Sequence, residues 1–166
     1  MVRLEPARVL ALRARVLRPA RPLEAARFAG DDDPRTLHLG VLGADGEPVA
    51  VATLLCEPLP DEAQRSECAG RGWWRLRGMA VEPALRGRGL GRRLLAVCER
   101  EAAARGAHAV WCNARRTAIG FYERCGWRCV SAPFEIPGIG PHRRMVREVA
   151  ALGREDGAER AGSWAR

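Results

Sequence analysis

Hydrophobic and polar positions in the first half of the chain follow a helical pattern and then a strand pattern. In residues 7–17, apolar side chains recur among arginines at roughly helical spacing, and prolines follow the segment. The polar run 30–34 is predicted to be a loop. Residues 36–42 and 49–56 are apolar runs typical of strands, and Asp45-Gly46 between them indicates a hairpin turn. This half therefore predicts one helix followed by a β-hairpin.

The second half alternates predicted strands with predicted helices. A polar segment rich in turn formers, 57–72, precedes an apolar strand over 73–81. The amphipathic stripe of residues 90–105 predicts a helix that ends at Gly106. The remaining segments are, in order, a strand over 107–113, a helix over 115–125 ended by Gly126, a strand over 127–131 and a strand over 143–149.

This order of elements predicts an α/β fold, with helices flanking one mixed, mostly antiparallel sheet. The length of 166 residues is typical of a single domain. We expect that domain over 1–150 and a frayed C-terminal tail over 151–166, where no periodicity is present. Because no apolar run is long enough to cross a bilayer and the N-terminus lacks a secretion signal, we expect a cytoplasmic protein.

Charge and cysteine content narrow the chemistry. The net charge of +8 would suit nucleic acid, but the basic residues are all arginines spread along the chain, so we expect no nucleic-acid partner. A chain without lysine has neither a phosphate-binding P-loop nor a pyridoxal Schiff base. The six cysteines lack C-x-x-C spacing, so we expect reduced, mostly buried thiols and no metal site.

One segment, Arg86–Gly91, combines glycines with arginines directly before the predicted helix 90–105. Glycines at positions 87, 89 and 91 expose backbone N–H groups, and the helix N-terminus carries partial positive charge. With Arg86, Arg88 and Arg92, this pattern favours a cradle for a pyrophosphate. A dinucleotide fold would need G-x-G-x-x-G and a later acidic residue, and neither is present here. A simple turn that starts a helix is the remaining alternative.

The second half resembles the GNAT family of N-acetyltransferases. Arg86–Gly91 matches that family's motif Arg/Gln-x-x-Gly-x-Gly/Ala, after the hydrophobic strand residues 79–81. Residues 121–127 match its aromatic-Tyr-x-x-x-Gly-aromatic segment. Residues 134–142 are similar to a Gly-Ile-x-His stretch of one bacterial subgroup, which we take to be of small-molecule type. In the first half, the resemblance is limited to the order of the elements.

The resemblance implies the acyl-CoA N-acyltransferase fold and an enzyme that moves the acetyl group of acetyl-CoA onto a primary amine of a small molecule or peptide. Backbone groups of Met79, Ala80 and Val81 would pair with the pantetheine arm. Asn113 would contact the cofactor from its far side, and Tyr122 would lie beside the thioester sulfur. The cofactor-binding positions of the loop would be Arg86, Gly87, Arg88, Gly89, Leu90, Gly91 and Arg92.

Acetyl transfer needs a proton acceptor and a proton donor. The amine must lose a proton before it attacks, and the departing thiolate gains from a donor. A phenol, with a pKa of about 10, suits a thiol with a pKa of about 8.5, so Tyr122 is the predicted general acid. Many relatives carry a Glu on the strand before the loop, but strand 73–81 has no carboxylate. The candidate bases are Glu57, Glu123, Glu135, His142 and a chain of waters.

Three residues are candidates for contact with the acceptor. Arg75 and Arg77 alternate with Met79 along strand 73–81, so they are predicted to share its face. If that face lines the acceptor cleft, they would recognise a carboxylate or phosphate of the substrate, and otherwise they form a solvated or salt-bridged pair. His142 follows a Gly- and Pro-rich loop and is either a site residue or an exposed loop residue.

Other functions stay open at this point. The chain could hold acetyl-CoA without catalysis, as a sensor or accessory protein, or it could acetylate proteins at their N-termini or side chains. A homodimer is compatible with the resemblance, although no feature of the sequence demands one.

Overall fold

A computed structural model describes residues 1–60 and 72–149. These residues fall into two compact units, the first comprising Met1–Cys56 with Leu76–Cys98 and the second comprising 57–60, 72–75 and 99–149. The expected tail over 151–166, Cys68 and most of the polar segment 57–72 lie outside the described residues.

The first unit is built around an antiparallel sheet. Its elements are strand β1 (Val2–Leu4), helix α1 (Leu10–Leu17), strand β2 (Leu37–Leu42), strand β3 (Pro48–Cys56), residues 76–81 of strand β4 (Trp73–Val81) and residues 90–98 of helix α2 (Leu90–Ala104). The strands follow the order β1-β2-β3-β4. A 3-10 turn, Pro6–Val9, leads into α1, and Gly46, with φ of 80°, lies in the β2–β3 hairpin that Asp45-Gly46 predicts.

The second unit continues from residues 73–75 of β4. Its further elements are strand β5 (Ala109–Arg115), helix α3 (Ile119–Arg124), strand β6 (Arg128–Cys129), strand β7 (Phe134–Ile136) and strand β8 (Gly140–Glu148). The strands follow the order β4-β5-β8-β6, and β7 pairs with β8. The β4–β5 ladder is parallel, whereas β8 is antiparallel to β5, β6 and β7.

This arrangement confirms the predicted fold class, a mixed, mostly antiparallel sheet flanked by helices. Strand 73–81 is confirmed, and the helix predicted over 90–105 ends one residue earlier. The prediction was wrong at the ends of β5, which lies two residues later than expected. It was also wrong for 127–131, where the strand keeps only two residues, Arg128–Cys129.

The β7–β8 hairpin is the largest departure from the predicted elements. β8 begins at Gly140 instead of 143, and β7 was not predicted at all. Proline lacks an N–H donor, so Pro141 argues against a strand in the sequence. In the structure Pro141 lies opposite Glu135 of the three-residue strand β7, where the short ladder tolerates it.

Each unit has its own buried apolar cluster. In the first unit, Leu12 of α1 and Val9 of the turn before it form a buried cluster with Val51 and Ala80 of the sheet. In the second unit, Trp111 is the centre of the cluster and donates its Nε1–H to the carbonyl oxygen of Glu57 at 2.9 Å. Within residues 1–60 and 72–149, no helix has the length and apolar character needed to span a membrane.

Candidate active site

The Gly-rich loop of the first unit keeps its backbone open. Gly87 and Gly89 have φ of 76° and 77°, a left-handed conformation that side chains other than glycine rarely adopt. A Cβ at either position would have no heavy atom within 4 Å, so the space above the backbone is free for a ligand. The helix α2 starts at Leu90, and the N–H of Arg93 donates to the carbonyl of Gly89 at 3.0 Å.

Positive charge surrounds this loop. Arg86, Arg88 and Arg92 are exposed. Among the salt bridges of the described residues, none involves any of the three. Arg86 is oriented by its Nε–H, which donates to the carbonyl of Val81 at 3.2 Å. Uncompensated guanidiniums at a helix N-terminus suit a bound pyrophosphate, as the sequence predicts.

Strand β4 leads into this loop through residues 79–81. Ala80 is buried in the first cluster, and Met79 and Val81 are half-buried. The preceding residue, Gly78, has φ of 59°, which interrupts the extended backbone of the strand as glycine does at a β-bulge. The simple alternation assumed for Arg75, Arg77 and Met79 therefore breaks at Gly78.

Tyr122 lies on α3 in the second unit and is 7% exposed. Its ring contacts Phe121 and Trp127, with both pairs of ring centroids 5.2 Å apart. Its hydroxyl group hydrogen-bonds the thiol of Cys112 on β5, and that bond favours the thiolate. Complete burial outweighs it and raises the pKa of Cys112 to about 12, so the Cys112 thiol stays protonated at neutral pH.

Asn113 follows Cys112 on β5, opposite Arg144 of β8. Its side-chain oxygen Oδ1 is buried and accepts no hydrogen bond from the described residues. A buried amide oxygen without a donor is costly, so this position suits a ligand that supplies an N–H group. The two amide N–H groups of a pantetheine arm have that chemistry.

His142 is 4% exposed and is not an exposed loop residue. Its ring stacks on Phe134, with centroids 6.2 Å apart. Nδ1 lies 2.7 Å from the carbonyl oxygen of Gly140, and a carbonyl only accepts, so Nδ1 carries the hydrogen. In the neutral ring the lone pair is then on Nε2.

A cavity of about 250 Å³ adjoins His142 in the second unit. It is lined by Arg116, Ile119, Pro133, Pro141, His142 and Arg143. Its volume suits a small molecule or a single side chain, and two of its lining residues are arginines.

Arg75 and Arg77 both have carboxylate partners. Arg75, in the second unit, donates to Glu57 Oε1 at 2.7 Å and stacks on the ring of Trp111. Arg77, in the first unit, donates to the carbonyl oxygen of Ala29 and, at 3.1 Å, to Asp31 Oδ1. Glu57 is therefore engaged as well, and the other two candidate carboxylates, Glu123 and Glu135, are exposed.

The prediction from the sequence did not include one charged group of the first unit, Arg13 on α1. Arg13 is fully buried, and Asp31 and Thr53, its ion-pair and hydroxyl partners, are buried with it. The signal available in the sequence was the position of Arg13 beside Leu12, on the apolar stripe of the helix. Arginine is so seldom buried that this position was not treated as part of the core.

Groups of histidine, cysteine and acidic residues that could hold a metal ion are absent from residues 1–60 and 72–149. Of the cysteines described, Cys98 and Cys112 are buried, Cys125 and Cys129 are half-buried, and Cys56 is exposed.

Comparison with known proteins identifies the family of the chain. The Acetyltransferase (GNAT) family matches residues 7–127. The uncharacterized N-acetyltransferase YitI of Bacillus subtilis (strain 168) is 37% identical over 138 residues, which are 82% of this chain and 87% of that protein.

Two solved structures show the same fold. An acyl-CoA N-acyltransferase from Pseudomonas aeruginosa superposes with a TM-score of 0.60 and 23% identity, over 84% of this chain and 88% of that one. An aminoglycoside 6'-N-acetyltransferase complexed with coenzyme A gives a TM-score of 0.68 and 15% identity, over 90% of this chain and 97% of that one. The chain therefore belongs to the Acetyltransferase (GNAT) family and is an acetyl-CoA-dependent N-acetyltransferase.

Proposed function

We propose that the acceptor is a primary amine on a small molecule or a peptide, and that the acetyl-CoA site includes the Gly-rich loop, residues 79–81 and Asn113. The observation that carries the cofactor part is the loop itself. Its glycines leave the backbone N–H groups uncovered, and Arg88 and Arg92 beside it have no acidic partner among the described residues.

Bound acetyl-CoA would supply an acetyl group activated as a thioester. Backbone groups of Met79 to Val81 would hold the pantetheine arm as an added strand does, and a backbone N–H there would donate to the oxygen that becomes negative during attack. The unpaired Oδ1 of Asn113 would accept an amide N–H of the arm. Arg86, Arg88 and Arg92 would balance the charge of the phosphates.

Tyr122 is proposed as the general acid that protonates the leaving thiolate. Support comes from its burial and from the hydroxyl, which already bonds a sulfur atom, that of Cys112. In this role the hydroxyl would exchange the Cys112 sulfur for the sulfur of the cofactor.

His142 is the best supported of the candidate bases. The bond from Nδ1 to Gly140 leaves Nε2 to accept a proton, and stacking on Phe134 holds the ring. An amine bound in the adjoining cavity would lie next to His142. Glu57 is less suitable because Arg75 occupies it, and Glu123 and Glu135 are exposed.

Ligand-dependent stability tests the cofactor first. Acetyl-CoA at about 100 times its Kd should add about 2.7 kcal/mol to the free energy of unfolding. For a chain of this size each kcal/mol raises the melting temperature by about 2–4 °C. NADH, which also carries a pyrophosphate, should give no comparable shift. No shift with acetyl-CoA would contradict the proposed site.

The acceptor is tested by following release of the CoA thiol with a panel of amines. Small amines and peptides with free N-termini or lysines are compared at equal concentration, and the His142→Gln protein is run beside the parent. We expect one class of amine to support turnover and the variant to lose most of it. Turnover that is unchanged in His142→Gln would exclude this histidine as the base.

A further inference from the structure

The buried Arg13 is the centre of a polar network in the first unit. Its Nη1 donates to Asp31 Oδ2 at 2.7 Å and to the carbonyl oxygen of Ala26 at 3.3 Å, and its Nη2 donates to Thr53 Oγ1. The guanidinium also lies over the ring of Phe28, 4.7 Å from its centroid. The guanidinium is thus held in place by its hydrogen-bond acceptors and by the ring of Phe28.

His38 continues the network and fixes its direction. Its Nε2 lies 2.9 Å from the carbonyl oxygen of Asp31, so Nε2 carries the hydrogen and Nδ1 accepts from the hydroxyl of Thr53 at 2.7 Å. The Thr53 oxygen, which donates to His38, in turn accepts from Arg13. In this network, the Thr53 hydroxyl and the two ring nitrogens of His38 each have a defined place as donor or acceptor. The network therefore has a single arrangement of hydrogen bonds.

Gly78 of β4 packs directly on the fixed guanidinium. A Cβ on Gly78 would lie 2.5 Å from Arg13 Nε and 2.8 Å from Cζ, which are distances that real contacts do not show. Gly78 also has φ of 59°, in the left-handed region. Arg13 Nε is buried and has no hydrogen-bond partner in the described residues. The Nε edge of the guanidinium therefore packs against Gly78, and no hydrogen bond draws it elsewhere.

The next residues of the strand are 79–81, which the proposed function assigns to the pantetheine arm. The direction of their N–H and C=O groups depends on the φ and ψ of Gly78, because a left-handed residue re-aims the strand that follows it. A rigid, charged group behind Gly78 therefore determines the direction of those backbone groups.

We propose that Arg13 is a positioning residue for acetyl-CoA. Held by Asp31 and Thr53, it supports the turn at Gly78 and so aims the backbone of residues 79–81 at the pantetheine arm. The inference rests on the proposed cofactor site. It predicts different effects at the two ends of the cofactor, because among the described residues Arg13 has no hydrogen bond to the Gly-rich loop that would hold the phosphates.

The test compares two ligands by calorimetry, acetyl-CoA and adenosine 3′,5′-bisphosphate, which lacks the pantetheine arm. Arg13→Met should weaken acetyl-CoA binding at least about tenfold, the equivalent of one or two lost hydrogen bonds. Binding of the bisphosphate should stay within about twofold of the parent. Arg13→Lys, which keeps the charge beside Asp31, should restore part of the acetyl-CoA affinity.

A second variant keeps the test decisive if Arg13→Met does not fold. Gly78→Ala adds the clashing Cβ without removing the ion pair, and it should produce the same selective loss. In the double variant Arg13→Met with Gly78→Ala the clash is relieved. The alanine should then weaken acetyl-CoA binding less than it does in the parent, which is a non-additive effect.

Leu37→Ala serves as the matched control, because it removes a buried side chain of β2 in the same unit and leaves every hydrogen-bonding side chain around Arg13 in place. It should lower stability and leave both affinities unchanged. If Arg13→Met weakened the binding of both ligands equally, or of neither, the inference would be overturned. The proposed location of the cofactor site would still stand. If the parent protein binds no acetyl-CoA, the proposed function and this inference both fail.

Discussion

At the scale of single residues, the general-acid role proposed for Tyr122 would require its phenol to bond two partners in turn. In the structure its hydroxyl bonds the buried thiol of Cys112, whose pKa of about 12 keeps the sulfur protonated. A neutral thiol is a weak partner, so exchanging it for a developing thiolate costs little. In the proposed role, the Cys112 contact would orient Tyr122 between turnovers and would not compete with proton donation.

Tyr122→Phe tests the proposed role of Tyr122 as the general acid. It should lower kcat by about a hundredfold or more, the usual range for a lost general acid, and leave the Kd for acetyl-CoA unchanged. Cys112→Ala is the control, since it removes the bond between the two side chains but keeps the phenol. Similar losses in both variants would show that Tyr122 only supports packing against β5.

At the scale of elements, the proposed cofactor site makes the Gly-rich loop and α2 one anion-binding unit. Uncovered N–H groups, a helix N-terminus and guanidiniums without acidic partners act together only because the loop opens directly into the helix. We expect Arg88→Ala and Arg92→Ala each to weaken acetyl-CoA binding by about three- to tenfold, measured by calorimetry.

Salt separates this electrostatic effect from a structural one. At higher ionic strength the difference between these variants and the parent should shrink, because exposed charges are screened. Arg100→Ala, an exposed arginine further along α2, is the matched control and should bind as the parent does. A loss that persists unchanged at high salt would contradict the electrostatic role.

Elements defined by local patterns could be predicted from the sequence, and those defined by distant contacts could not. The loop, α2 and β4 follow from glycine spacing, helical periodicity and an apolar run, all of which are local. The burial of Arg13 depends on Asp31 and Thr53, which lie 18 and 40 positions away, so no local pattern reports it. β7 was missed for the same reason, since three residues become a strand only through pairing with β8.

At the scale of the whole molecule, buried titratable groups of the two units give stability opposite pH dependences. Burial lowers the pKa of His38, and with smaller contributions from Arg13 and Arg77 it outweighs the bond to the Asp31 carbonyl and the Asp31 charge, which act to raise that pKa. Burial raises the pKa of Glu99, despite the bond at 2.7 Å from Trp127 Nε1. For Asp31, burial acts to raise the pKa, but bonds from Phe28 N–H and Arg13 outweigh it and lower the pKa.

His38 determines how stability changes with pH in the range nearest to neutral pH. Because its pKa is lower in the fold than in the unfolded chain, the unfolded chain takes up the proton first as the pH drops through about 6.5, and stability falls there. Glu99 has the opposite sign, since above pH 4.5 the unfolded chain loses its proton first, and stability falls as the pH rises. The Asp31 contribution is lost only below pH about 3.8.

His38→Gln isolates the histidine from the two carboxylates. Between pH 7.5 and 5.5, the free energy of unfolding of the parent should fall relative to that of the variant, with a slope of up to about 1.4 kcal/mol per pH unit. Urea titrations at a series of pH values measure the difference, in which Glu99 and Asp31 cancel. A constant difference between parent and His38→Gln would mean that the network around Arg13 tolerates a charged imidazole, and that the single hydrogen-bond arrangement drawn from the neutral ring does not hold.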